Sequence, residues 1–310
     1  MRTRKVGKLD VSLVGLGCNN FGTRMDDDAV APVVHAALDA GITLFDTADT
    51  YGSTRSEELL GAALAGRRSE AVIATKFGME IDENHRGAHP DYVRSACEAS
   101  LRRLNVDHID LYQLHTPDPD VPITETLGAL GELVQAGKVG EIGHSNMSGA
   151  QMDEAEAAAA DAPARFVSAQ ERWNLLERDI ERDKLPAIER HGLAVLPYFP
   201  LASGLLTGKY RADTAPDPSW RIAKLPDERR EQQLAAERLA TVERLREFAA
   251  GHDRSLLELA FSWLAAQPSV TSVIAGATRP EQITANVAAV DWQLTSADLA
   301  EIDRIAAPAA

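Results

Sequence analysis

The sequence predicts an α/β chain folded as a (β/α)8 TIM barrel, on three observations. Short apolar runs recur at the spacing of βα units, amphipathic stretches lie between them, and the chemically interesting polar residues fall where the runs end. The runs cover residues 11–15, 42–45, 71–75, 109–114, 139–143, 166–169, 194–197 and 271–275. Near-continuous apolar strands joined by helices imply a parallel sheet covered on both faces. Eight such units in a 310-residue chain favour closure into a barrel over an open sheet. In a closed barrel the active groups come from the C-terminal ends of several strands.

Each element has its own signal. Residues before Val11 read as a small β-hairpin pinched at Gly7 and Lys8, a plug outside the repeat. Asp26, Asp27 and Asp28 precede an Ala/Val/Leu helix that Gly41 stops. Ser56 with Glu57 and Glu58 opens a second helix, and Pro90 with Asp91 opens a third that reaches Leu104. Pro122 precedes a fourth, ended by Gly137, and alanines at 155–160 are simply good helix sequence. After the seventh strand comes a long stretch, 210–225, with Pro216, Pro218 and Trp220; a loop of that kind on the active face reads as a lid or a substrate wall. No shift in composition divides the chain, so residues 1–310 are expected to form one domain.

Composition excludes several functions. A net charge of −15 argues against nucleic-acid binding, which needs a basic stripe. The two cysteines, Cys18 and Cys97, are far apart and suggest neither a disulfide framework nor a zinc site. The basic start Met1–Lys5 lacks an apolar segment behind it, and no run reaches the roughly 18 apolar residues of a membrane span. A soluble cytoplasmic protein is the expectation.

The strand ends carry Asp46, Lys76, His115, Ser145 with Asn146, Gln170, Tyr198 and Gly276, and Tyr51 stands just past the first of these. A free tyrosine titrates near 10. A neighbouring ammonium stabilises the phenolate and draws that pKa down, and a carboxylate keeps the ammonium charged and in place. Tyr51, Lys76 and Asp46 supply those three parts, which together make a proton donor for a developing alkoxide. His115 is placed to bond the same oxygen. That chemistry still requires a hydride source. Other motifs fail on spacing: residues 15–22 place the last glycine wrongly for a dinucleotide fingerprint, and 204–210 is one residue short of a phosphate loop. His85 and His89 lack a Glu partner for a metal. No metal is expected.

In these contexts and this order, Asp46, Tyr51, Lys76 and His115 resemble the catalytic tetrad of the aldo-keto reductases. The likeness continues through Gly143–Asn146, Gln170, the stretch 198–210 and the stretch 273–286, nearly the whole chain. It implies a barrel that binds extended NADP(H) and reduces an aldehyde or ketone without a metal. Tyr51 would donate the proton, Lys76 and Asp46 would tune it, and His115 would orient the carbonyl. Ser145, Asn146 and Gln170 would hold the carboxamide, with Tyr198 stacked on the nicotinamide. The backbone of Leu201, Ser203, Gly204 and Leu206, with Lys209, would wrap the pyrophosphate. Gly276, Thr278, Arg279, Gln282 and Asn286 would hold the adenosine end, Arg279 taking the 2′-phosphate. Ala275, Ala285 and the Gly276–Ala277 pair depart from common family patterns, so NADP preference leans on Arg279. Phe21, Trp173, Phe199 and residues 210–225 are expected to shape the substrate rim. The resemblance also admits a cofactor-binding regulatory subunit, or a sugar-keto or enoyl reductase. The substrate is a small carbonyl compound of unspecified kind, and monomer and homo-oligomer both stay open.

Overall fold

The computed structural model describes residues 1–210, 216–218 and 220–307. Strands β1 (Thr3–Val6) and β2 (Leu9–Ser12) form an antiparallel hairpin, and the barrel begins with β3 (Val14–Gly17). There follow α1 (Asp27–Asp39), β4 (Leu44–Asp46), α2 (Arg55–Ala63), β5 (Val72–Phe77), α3 (Pro90–Leu104), β6 (Ile109–Leu114) and α4 (Ile123–Gln135). The second half contains β7 (Val139–Ser145), α5 (Gly149–Ala159), β8 (Phe166–Arg172), α6 (Ile180–His191) and β9 (Ala194–Tyr198). A longer excursion carries α7 (Asp227–Gln233), α8 (Ala236–Ala250) and α9 (Leu256–Ala266) before β10 (Val273–Gly276), α10 (Pro280–Ala288) and α11 (Ser296–Ala306). Strands β3 to β10 pair in parallel and close on themselves, β10 bonding both β3 and β9.

The expected barrel and hairpin are both present, with one correction. Val11 belongs to the hairpin, pairing with Arg4, and the barrel strand starts only at Val14. A single apolar run spans both elements, so periodicity does not separate them. The hairpin closes the barrel floor: Val6 and Val11 are fully buried against Leu44, Ala74, Leu111, Leu196 and Ile274. The other end of the barrel is left open to the βα loops.

Helix starts follow local chemistry. Ser148, Ser255 and Thr295 each form a capping box with Gln151, Glu258 and Asp298, satisfying amides that the first turn cannot pair internally. α3 begins at Pro90, as expected, and ends at Asn105 in a left-handed conformation. Ser56 does not cap α2, which starts one residue earlier; its hydroxyl donates to the Cys18 carbonyl at 2.9 Å instead. Gly61 sets how closely α2 and α3 approach, because a Cβ there would lie 2.2 Å from the Leu104 carbonyl oxygen. Of the expected lid, residues 211–215 and 219 lie outside the described residues; Trp220 and the short turn Ile222–Lys224 are placed against the open end.

Candidate active site

The chain's principal cavity, about 570 Å3, opens among the C-terminal strand ends. Asp46 is the last residue of β4, Lys76 the fifth of β5, His115 follows β6, and Ser145 and Tyr198 close β7 and β9. Strand alternation turns Lys76 inward while Thr75, its neighbour, faces α2 and donates to Glu57 at 2.5 Å.

Lys76 is completely buried, and all three ammonium protons have acceptors. They point to Asp46 Oδ1 at 2.8 Å, the Thr47 carbonyl at 2.7 Å and the Tyr51 hydroxyl at 3.4 Å. Asp46 Oδ1 also accepts from Gln170 Nε2 at 2.7 Å, so strands on opposite sides of the barrel converge on one oxygen. Burying an ion pair is costly unless its remaining groups are hydrogen-bonded; here Lys76 has three acceptors and Asp46 Oδ1 a second donor. Burial by itself would depress the Lys76 pKa, but Asp46 and Tyr51 outweigh it and hold the ammonium above its ordinary range.

Tyr51 reaches the pair from a tight turn. Its amide donates to the Ala48 carbonyl at 3.2 Å, and Gly52 follows with φ +59°. A side chain at Gly52 would strike the Phe21 carbonyl at 2.5 Å, so glycine is required on both counts. Burial pushes the phenol's pKa up, Lys76 draws it down and Asp46 adds to the rise; the net shift is upward. This corrects the expected direction: the lysine acts as anticipated, but desolvation is larger. The proton therefore stays on Tyr51 at neutral pH, as a donor requires. The His115 ring stands edge-on to Tyr51, centroids 5.8 Å apart. Burial, reinforced by the Lys76 charge, pushes its pKa down to about 3, so the imidazole is neutral and offers one N–H.

A second set lines the groove leading away. Asn146 adopts φ +63° and donates to the His115 carbonyl and to Ser145 Oγ, each at 3.0 Å. Its carbonyl accepts from the Tyr198 hydroxyl at 2.9 Å, and Ser145 Oγ donates to the Gln170 carbonyl at 2.7 Å. The groove continues past Leu201, Ser203, Gly204 and Lys209 to Gly276, Thr278 and Gln282. Between Ala202 and Gly204 the backbone holds three successive positive φ angles, 46°, 58° and 103°. Such left-handed turns make concavities of amides suited to anions. Gly276 lets the loop after β3 come close, since a Cβ there would touch Asn20 Nδ2 at 3.0 Å. Gln282 accepts from the Thr278 amide at 2.7 Å, tying the start of α10 to the strand end. Arg279 is the exposed residue just before α10, Asn286 and the Leu206 side chain are buried, and none of the three lines the cavity.

Some expected residues fall elsewhere. Trp173 is buried outside the barrel, its ring edge-on to Trp263 and its Nε1 donating to Glu181 at 3.0 Å. Phe21 is likewise in the core, not on the rim. Phe199, Trp220 and Arg221 do line the cavity. So do Arg24, Met79 and Arg172, which were not anticipated. For Arg172 a signal existed: it stands two residues after Gln170 on one strand, hence on the same side. For Arg24 and Met79, in loops, no periodicity could have shown it.

Known proteins resemble this chain over nearly its full length. The model of the aldo/keto reductase family matches residues 13–307. Aldo-keto reductase YhdN of Bacillus subtilis (strain 168) is 36% identical over 306 residues, covering 96% of this chain and 90% of that protein. A probable aldo-keto reductase 1 from Glycine max is 36% identical over 304 residues, covering 94% and 85%. The solved structure of a glycerol dehydrogenase from Gluconobacter oxydans superposes with a TM-score of 0.84 at 35% identity, covering 98% of this chain and 94% of that one. The strand-end constellation and these full-length likenesses agree: the chain belongs to the aldo/keto reductase family.

Proposed function

We propose that the chain is an NADPH-dependent reductase of aldehydes or ketones, with Tyr51 as proton donor. The observation that carries this reading is the buried Lys76 ammonium, held by Asp46 and the Thr47 carbonyl with Tyr51 beside it, at the head of an elongated groove. The groove is larger than a small carbonyl compound needs and lies within the usual range for cofactor sites, about 300–1,000 Å3. Its left-handed turn at Ala202–Gly204 and its cationic Lys209 suit a pyrophosphate.

Bound there, the nicotinamide supplies the hydride. Asn146, Ser145 and Gln170 offer polar groups to its carboxamide, and Tyr198, fixed by its bond to Asn146, offers a flat face to the ring. The backbone of Leu201, Ser203, Gly204 and Leu206, with Lys209, wraps the pyrophosphate. Gly276, Thr278, Gln282, Asn286 and Arg279 receive the adenosine end, Arg279 taking the 2′-phosphate. His115, neutral, donates to the carbonyl oxygen and so polarises it. As negative charge grows on that oxygen, Tyr51 gives up its proton, and Lys76 stabilises the phenolate left behind. Asp46 keeps the ammonium aimed at the phenol. With this set complete, a reductase is favoured over a regulatory subunit.

A screen of NADPH oxidation over aldehydes, quinones and keto-sugars, with NADH alongside, tests the reading. Turnover with NADPH is expected for one class, and Arg279→Ala should weaken NADPH much more than NADH. Equal rates with both cofactors in the parent protein would remove the 2′-phosphate assignment.

A further inference from the structure

The chain carries a net charge of −15, yet the cavity mouth is cationic: Arg24, Arg172, Lys209 and Arg221 all line it. Lys209 senses both Arg24 and Arg279, and the proposed function assigns Lys209 and Arg279 to cofactor phosphates. Two of the remaining guanidiniums face one aromatic ring. Arg172 lies 4.9 Å and Arg221 4.8 Å from the centroid of Phe199. Arg172 is also 5.9 Å from the Tyr198 ring.

Arg172 shares its one carboxylate, and Arg221 has no ion-pair partner among the described residues. Arg172 reaches Glu177 only at 3.5 Å, while Glu177 is already bound by Arg238 at 3.1 Å and Asn174 at 2.7 Å. Among the described residues no carboxylate forms an ion pair with Arg24 or Arg221. Arg221 is half-buried, and burial together with the like charges of Arg24 and Arg172 pulls its pKa below the ordinary value. The Tyr51 phenol lies within electrostatic reach of the same guanidinium. Glu177 near Arg172 and Asp217 near Lys209 are the carboxylates at this cluster among the described residues. They are fewer than the cations gathered beside the proton donor, and the excess leaves a place for an incoming anion. Planar guanidinium forks suit a carboxylate particularly well.

We propose that Arg172 and Arg221, set about Phe199 beside Tyr51, bind an anionic group of the substrate, so that the preferred carbonyl compounds carry a carboxylate. The proposal rests on the reductase reading and specifies its substrate class. The chain's net negative charge repels anions in general, and the cations lining this mouth oppose that repulsion locally.

The test compares 4-oxobutanoate with butanal, an aldehyde of the same chain length without the charge, at saturating NADPH. The parent protein should favour the acid in kcat/KM by at least roughly tenfold, the worth of one charge-assisted hydrogen bond or more. Arg172→Leu and Arg221→Leu should each collapse that ratio, and Arg172→Lys should restore part of it. NADPH binding, followed separately by its fluorescence, identifies the competing explanation. An unchanged ratio in both leucine variants, with weaker NADPH binding, would assign the guanidiniums to the cofactor and overturn the proposal. A parent ratio near one would overturn it alone. No NADPH oxidation with these or any other carbonyl compound would remove the reductase reading and the proposal with it.

Discussion

Lys76 shows how much one side chain can determine. Its ammonium is fully buried, so Asp46 and Gln170 are organised around a charge that water does not screen. Replacing it by methionine leaves Asp46 buried with only the Gln170 amide, which should cost about 3–5 kcal/mol of stability. Adding Asp46→Leu should recover part of that stability in urea unfolding without recovering turnover. Recovered turnover would show that the pair serves only the fold. Asp49, three residues on, gives a pH signature. It is 1% exposed, and its carboxylate oxygens have no hydrogen-bond partner that meets normal geometry. Around it stand Glu57, Arg103, Lys76 and Tyr92, and Arg103 is already bound to Glu57 at 2.7 Å. Burial, with Glu57 adding to it, raises Asp49 from an ordinary 3.8 to about 7. A raised folded pKa means the stabilising contribution is complete below about 3.8 and is lost as pH rises towards about 7. Asp49→Asn should therefore gain on the parent protein between those values, by at most about 1.4 kcal/mol per pH unit. A pH-independent difference between the two would contradict this assignment.

Among the elements, the turn from β4 into α2 holds Tyr51 in place through its contact with the loop after β3. Gly52→Ala, strained by both φ and the Phe21 carbonyl, should lower the melting temperature and cut turnover far more than it weakens cofactor binding. Wild-type turnover in that variant would show that the turn tolerates movement. The strand ends were legible because a barrel gathers them at one face, and Asp46, Lys76 and His115 each terminate or follow an apolar run. The boundary between β2 and β3 was not, because only Leu13 separates them and the apolar pattern runs through. Trp173 was misjudged for a reason that strand alternation supplies. It sits one residue from the inward-facing Arg172 and so points out of the barrel. Phe21 lies in a loop that folds back, its amide bonding the Cys18 carbonyl at 3.0 Å, which no periodicity reveals.

For the molecule as a whole, the closed sheet places at one mouth residues from all eight of its strands or the loops that follow them. The hairpin seals the opposite end with Val6 and Val11, and the cavity opens where the strands finish. No helix among the described residues is long and apolar enough to cross a membrane. The Asp–Lys–Tyr–His constellation and the groove beside it form one continuous site, which is why proton donation and cofactor binding are expected to be separable by mutation. The direct test is stopped-flow oxidation of bound NADPH by a turned-over aldehyde in the parent protein and in Tyr51→Phe. The expected result is a rate at least about a hundredfold slower in the variant, in line with loss of a general acid, with NADPH affinity unchanged. A variant that oxidises NADPH at close to the parent rate would contradict the role of Tyr51 as proton donor.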